Sequence, residues 1–162
     1  MLVTIISRHE RILQLTHMTA CVEELQSLVG RIVTSEELES LEKTRMMREE
    51  QAKFVSEPRE ACEIPFPDMR GSRFRDFLLR LKVVNSSGVY VWTYNTIYGG
   101  AFQVKSFDEL NMEAYFSTCG ETISFVTSDV RNALLLDTFV DDDGSRMIDI
   151  RTRGDDWLGA VY

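Results

Sequence analysis

The period of the apolar pattern changes at about residue 83, and this change most constrains what the chain can fold into. Before it, apolar residues recur at helical spacing. After it, short alternating runs are separated by turn residues. Such an order predicts an α+β fold: a helical N-terminal part packed on a mainly antiparallel sheet. The expected division is a helix-rich part over 7–82 and a sheet-rich part over 83–162. With 162 residues, 44% of them apolar, the chain can bury one good core, and the expectation is a single domain.

Ser7 and Glu10 have the spacing of a capping box, which opens a first helix. Behind it, Leu15, Met18, Val22, Leu25, Val29 and Ile32 step by three and four, predicting one buried stripe. Gly30 is placed to end that helix. Thr34 and Glu37 repeat the box, with Val33 and Leu38 as a staple, and predict a second helix running to about Phe54. Glu39–Lys43 and Glu49–Lys53 are favourable pairs on it. Leu2 to Ile6 read as a short strand. Residues 56–72 hold Pro58, Pro65, Pro67 and Gly71 and read as an irregular connection. Phe74, Phe77, Leu78 and Leu81 then form a helical stripe among basic residues.

Val83 and Val84 are expected to enter a strand. The run from Val89 to Ile97 reads as another, with Tyr90, Trp92 and Tyr94 on one face. Gly99-Gly100 turns into a short strand from Ala101 to Val104. Ser106 and Glu109 spell a further capping box. Residues 122–126 read as a strand, whereas the segment VRNALLLDTF fits helix or strand. Asp143-Gly144 ahead of Met147, Ile148 and Ile150 is a hairpin signal, and the final WLGAVY is expected to dock.

Motifs for chemistry are weak. His9 and His17 are the only histidines. His17 and Cys21 are one helical turn apart, but no second pair has ligand spacing. A calcium loop with Gly144 sixth would need acids where Phe139 and Ile150 stand. Gly99-Gly100 lacks the Lys-Ser or Lys-Thr of a phosphate loop. Catalytic residues, metals and cofactors are therefore not expected.

Charge carries more information. Twenty-six acids stand against 18 bases, for a net charge of −8, and both halves of the chain are acidic. This field repels a phosphate backbone and attracts a basic protein surface. Nucleic acid and membrane are not expected partners, and no apolar stretch reaches spanning length. The basic stretch Arg70, Arg73, Arg75, Arg80 and Lys82 is expected to balance neighbouring acids. Asp141, Asp142, Asp143, Asp155 and Asp156 are expected to form one acidic field, with Tyr90, Trp92 and Tyr94 as anchors.

These features suit a protein that covers another protein, in concrete form an inhibitor or immunity protein neutralising a basic toxin or nuclease. The alternative is a structural or adaptor subunit, or a homo-oligomer, assembling through its N-terminal helices; an enzyme of unknown class is third. Cys21, Cys62 and Cys119 form no CxxC pair, and their odd number fits a cytoplasmic, reducing setting. Thiol titration of the unfolded, unreduced protein is expected to find three free groups; a reproducible loss of two would reverse this reading.

Overall fold

The computed structural model describes residues 7–54, 59–84, 88–158 and 162. Its centre is a six-stranded sheet with order β1-β6-β5-β4-β2-β3, in which every neighbouring pair is antiparallel. The strands are β1 (Arg59–Pro65), β2 (Val89–Trp92), β3 (Phe102–Val104), β4 (Thr122–Thr127), β5 (Ala133–Val140) and β6 (Arg146–Arg153). The helices are α1 (Arg8–Val29), α2 (Leu41–Ala52), α3 (Ser72–Val84), α4 (Thr96–Gly99), α5 (Met112–Thr118) and α6 (Asp155–Leu158). The α+β expectation holds, with N-terminal helices packed on an antiparallel sheet.

Alternation along the strands creates two unlike faces. On the first face, Val91, Phe125 and Leu134 lie abreast in register, with Phe102 beyond Val91. Ile123, Leu136 and Ile150 form the next row. These residues form one core with Leu25 and Leu28 of α1, Phe74, Phe77 and Leu81 of α3, Tyr115 and Phe116 of α5, and Trp157 of α6. Burying a large apolar side chain contributes about 1.5–3 kcal/mol, so this face dominates the packing. Towards β2 the second face is covered: Tyr90 and Trp92 pack there with Met47 of α2, Ala101, Val126 and Val130.

Local signals behaved unequally. Glu10 N–H donates to Ser7 Oγ, and Ser7 N–H donates to the Glu10 carboxylate, completing the first box. Gly30 ends α1 with φ of 64°, a left-handed value that suits glycine. The buried stripe is rotated from the expected one, to Cys21, Leu25 and Leu28; Leu15 and Ile32 are 70% and 79% exposed. Glu37 does accept the Thr34 N–H, but only a 3-10 turn over Ser35–Glu37 follows. Leu38 instead bridges to Phe102, and Ser40 caps α2. The Glu39–Lys43 pair forms, whereas Lys53 pairs with Glu50 rather than Glu49.

Three boundaries shift. Part of the expected 56–72 connection is β1, an edge strand, so the sheet begins before α3. Pro65 ends that strand, where its missing N–H costs least. α3 runs through Val84, where a strand was expected. β2 stops at Trp92, and Asn95 and Thr96 lead into α4 instead of continuing to Ile97. The ambiguous segment supplies β5. The Ser106 box opens only the 3-10 turn Phe107–Glu109; Asn111 caps α5. The hairpin is present, and Gly144 takes φ of 85° in it. Trp157 is fully buried, and Tyr162 packs against Phe74 and Phe77. The expected strand at Leu2–Ile6 lies outside the described residues, as does most of the expected NSSG turn. Among the described residues, no helix is long and apolar enough to cross a membrane.

Gly99 lies against α1: a Cβ there would stand 2.7 Å from Cys21 Sγ and 2.9 Å from Cys21 Cβ. Gly99→Ala is therefore expected to destabilise the fold by about 1–3 kcal/mol, through overpacking. Urea unfolding checks this. Unchanged stability would mean that α1 and α4 do not meet as described.

Candidate functional site

The second face of the sheet becomes open where α2 ends. Over β5, β6 and β1 it presents four successive rows, read from the register. Ala133, Arg153 and Arg59 form the first; Leu135, Arg151 and Ala61 the second. Asp137, Asp149 and Glu63 form the third, and Phe139, Met147 and Pro65 the fourth. Beyond the fourth row lies the β5–β6 hairpin tip with Asp141, Asp142 and Asp143, all exposed. The face thus changes sign along its length, from arginines to carboxylates, with an apolar row before the acidic tip.

The third row places three acids abreast on adjacent strands. Directly opposed like charges destabilise strand pairing, so this row needs support. Asp149, only 6% exposed, pairs with the Arg151 guanidinium, and Thr122 Oγ1 donates to Asp137 Oδ1 at 2.5 Å. At the tip, Asp142 N–H donates to Asp141 Oδ1 at 2.7 Å, and Ser145 N–H to Asp143 Oδ1 at 2.8 Å. Hydrogen bonds from Ser145, side chain first and backbone second, hold the Asp143 carboxyl below its usual range.

The expected acidic field is divided. Asp155 and Asp156 open α6 at the other end of β6 from the tip, about 25 Å away for an eight-residue strand. Asp156 is also engaged: its Oδ2 accepts from Asn132 Nδ2 at 3.0 Å, and its N–H donates to Asn132 Oδ1 at 3.2 Å. The aromatic trio is divided as well. Tyr90 and Trp92 are 6% and 7% exposed beneath α2, and Tyr90 Oη donates to Glu39 at 3.0 Å. Burial removes both as surface anchors. Tyr94 lies in the turn after β2 and is 65% exposed. The rows on β5 and β6 escaped sequence reasoning because an acid in a strand shows its neighbours only through register.

A second constellation joins α1 to the turn after β2. Glu24 accepts from Thr93 Oγ1 at 2.7 Å and from Asn95 Nδ2 at 2.8 Å. Asn95 Oδ1 lies 2.8 Å from His17 Nδ1. Since the Asn95 amide nitrogen serves Glu24, its oxygen accepts, and His17 Nδ1 carries the proton. The imidazole stacks on Tyr98 with centroids 4.6 Å apart. Cys21, one turn along, does not extend this chain into a nucleophilic pair. It is fully buried against Gly99, and burial, helped by Glu24, pushes its thiol up to about 12. The network ties α4 to α1. No group of three or more His, Cys, Asp or Glu side chains able to hold a metal ion occurs among the described residues.

Two larger cavities lie elsewhere. One of about 460 Å³ separates the start of α3 from α5, and the Arg70–Glu113 ion pair involves two of its lining residues. Part of the basic stretch around α3 is thus paired within the molecule. The other, of about 400 Å³, lies between α1, α2 and α4. No protein-family model matches the chain, and neither curated proteins nor solved structures show a match to it.

At pH 8, alkylation of the folded protein is expected to reach Cys62 and Cys119, both partly exposed, before Cys21. Mass mapping after timed iodoacetamide treatment checks this order. Early labelling of Cys21 would contradict its burial and its raised pKa.

Proposed function

We propose that the protein is a binding module that covers a basic protein, in concrete form an inhibitor or immunity protein that neutralises a basic toxin or nuclease. The observation that carries this reading is the acidic half of the open face. Glu63, Asp149 and Asp137 lie abreast, and Asp141, Asp142 and Asp143 lie beyond them. Phe139 and Met147, both partly exposed, stand between the two acidic groups and take the anchoring role expected of Tyr90 and Trp92. Charge would steer association, and the apolar row would hold the complex. Neutralising an enzyme by covering it requires no catalytic group on the inhibitor.

An alternative reading, a subunit assembling through its N-terminal helices, draws on a different observation. Ile12 and Leu15, three residues apart on α1, are 53% and 70% exposed, and Met46 of α2 is 63% exposed.

The test is affinity capture from the native host, followed by activity and association measurements with the captured protein. A basic enzyme that loses activity on stoichiometric addition is expected. Replacing Asp141, Asp142 and Asp143 with Asn should slow association about tenfold at low salt, and less at high salt. Changing Asp155 and Asp156 should have far less effect. Recovery of only further copies of this chain would favour the α1 reading. Association untouched by the triple change would remove the acidic tip from the mechanism.

A further inference from the structure

The cavity of about 460 Å³ lies on the helix-covered side of the sheet, between α3, the Phe107–Glu109 turn and α5. Its floor is apolar: Phe74, Phe107 and Met112 line it and are 3%, 6% and 5% exposed. Met69 and Leu78, both half-buried, extend that surface towards the rim. Methionine side chains are unbranched and adapt to the shape of an apolar ligand. Four charged side chains complete the lining. Arg70 and Glu113 pair with each other, and Asp108 Oδ2 accepts from Ser106 Oγ at 2.9 Å. Arg75, exposed on α3, pairs with no acid among the described residues. The rim therefore offers one guanidinium for an incoming anion above an apolar floor.

We propose that this cavity binds a small apolar monocarboxylate of the size of a medium-chain fatty acid. The hydrocarbon body rests on Phe74, Phe107 and Met112, and the carboxylate meets the Arg75 guanidinium. A concave, mostly apolar cavity with few polar groups is the usual form of a small-molecule site, and the volume suits a ligand of this size. The planar fork of arginine matches a carboxylate, donating two parallel hydrogen bonds to its oxygens. The charge selects a monoanion. A dianion or polyanion would meet Asp108 and Glu113 as well as Arg75, and like charges repel. Apolar contact on the floor then supplies the favourable burial that a bare carboxylate lacks. The site is independent of the proposed covering of a basic protein, which uses the opposite face of the sheet.

Isothermal titration calorimetry with octanoate, and with octanol as its uncharged counterpart, tests the assignment. One octanoate per chain is expected, bound more tightly than octanol. Arg75→Gln removes an exposed side chain; it should weaken octanoate binding about tenfold or more and leave octanol binding unchanged. Arg11→Gln, on α1, should alter neither. Circular dichroism verifies that both variants fold. Isotope labelling of the methionine methyls, read by NMR, locates the ligand. The Met69 and Met112 signals should shift as the site fills, and those of Met46 and Met147 should stay. Absence of saturable octanoate binding by the folded wild-type protein would overturn the proposal. So would equal octanoate affinity after Arg75→Gln, octanol binding as tight as octanoate, or shifts confined to methionines outside the cavity.

Discussion

Phe125 sits at the middle of the sheet with no solvent exposure, flanked in register by Val91 and Leu134, and the architecture is organised around the burial of that row. Helices from both ends of the chain converge on it. Leu25 and Leu28 arrive from α1, Phe77 and Leu81 from α3, and Trp157 from α6. A sheet with one apolar face must cover that face, and an antiparallel sheet can leave the other to solvent. The chain spends its long helices on the first face. Only α2, with the help of Ala101 and Val130, is left to cover part of the second.

That unequal coverage creates the surface on which the proposed function rests. Where α2 stops, no helix among the described residues covers the second face of β5, β6 and β1, and its side chains follow strand register. Arginines and carboxylates occupy successive rows, so Arg151 can pair with Asp149 along one strand while the rows keep opposite signs. A partner meeting this face encounters a charge gradient along the strands, which sets orientation as well as attraction. The net charge reports only the sum of the two ends.

The polar network around Glu24 illustrates the same economy on the other side. Its carboxylate accepts from two groups of the β2–α4 turn, and His17 completes the chain through Asn95. Buried or half-buried polar groups of this kind need partners, and here they obtain them by fixing a turn. Tyr98 and Tyr94 then enclose the imidazole. The turn that ended β2 early is thereby held against α1.

What was legible in the sequence is what is decided over a few residues. The Ser7–Glu10 box, the Gly30 cap, the α3 stripe, β4 and the Asp143-Gly144 hairpin all follow from neighbours within one or two turns of chain. What only the tertiary structure decided involves distant partners. The Thr34 box had the right residues, but Leu38 was drawn to Phe102, and the helix waited for Ser40. β1 reads as a polar, proline-bounded loop because an edge strand buries little; its pairing with β6 alone makes it a strand. Alternation put Tyr90 and Trp92 on one face, as expected, but whether that face was wet depended on α2, some forty residues earlier in the chain. The five aspartates were near in sequence, yet an eight-residue strand separates the tip from α6, because extended backbone moves about 3.3 Å per residue. Conversely, Arg59 and Arg153 are distant in sequence and adjacent in space. Local propensity acts through the backbone of a few residues; register and coverage act through contacts that exist only once the sheet has formed.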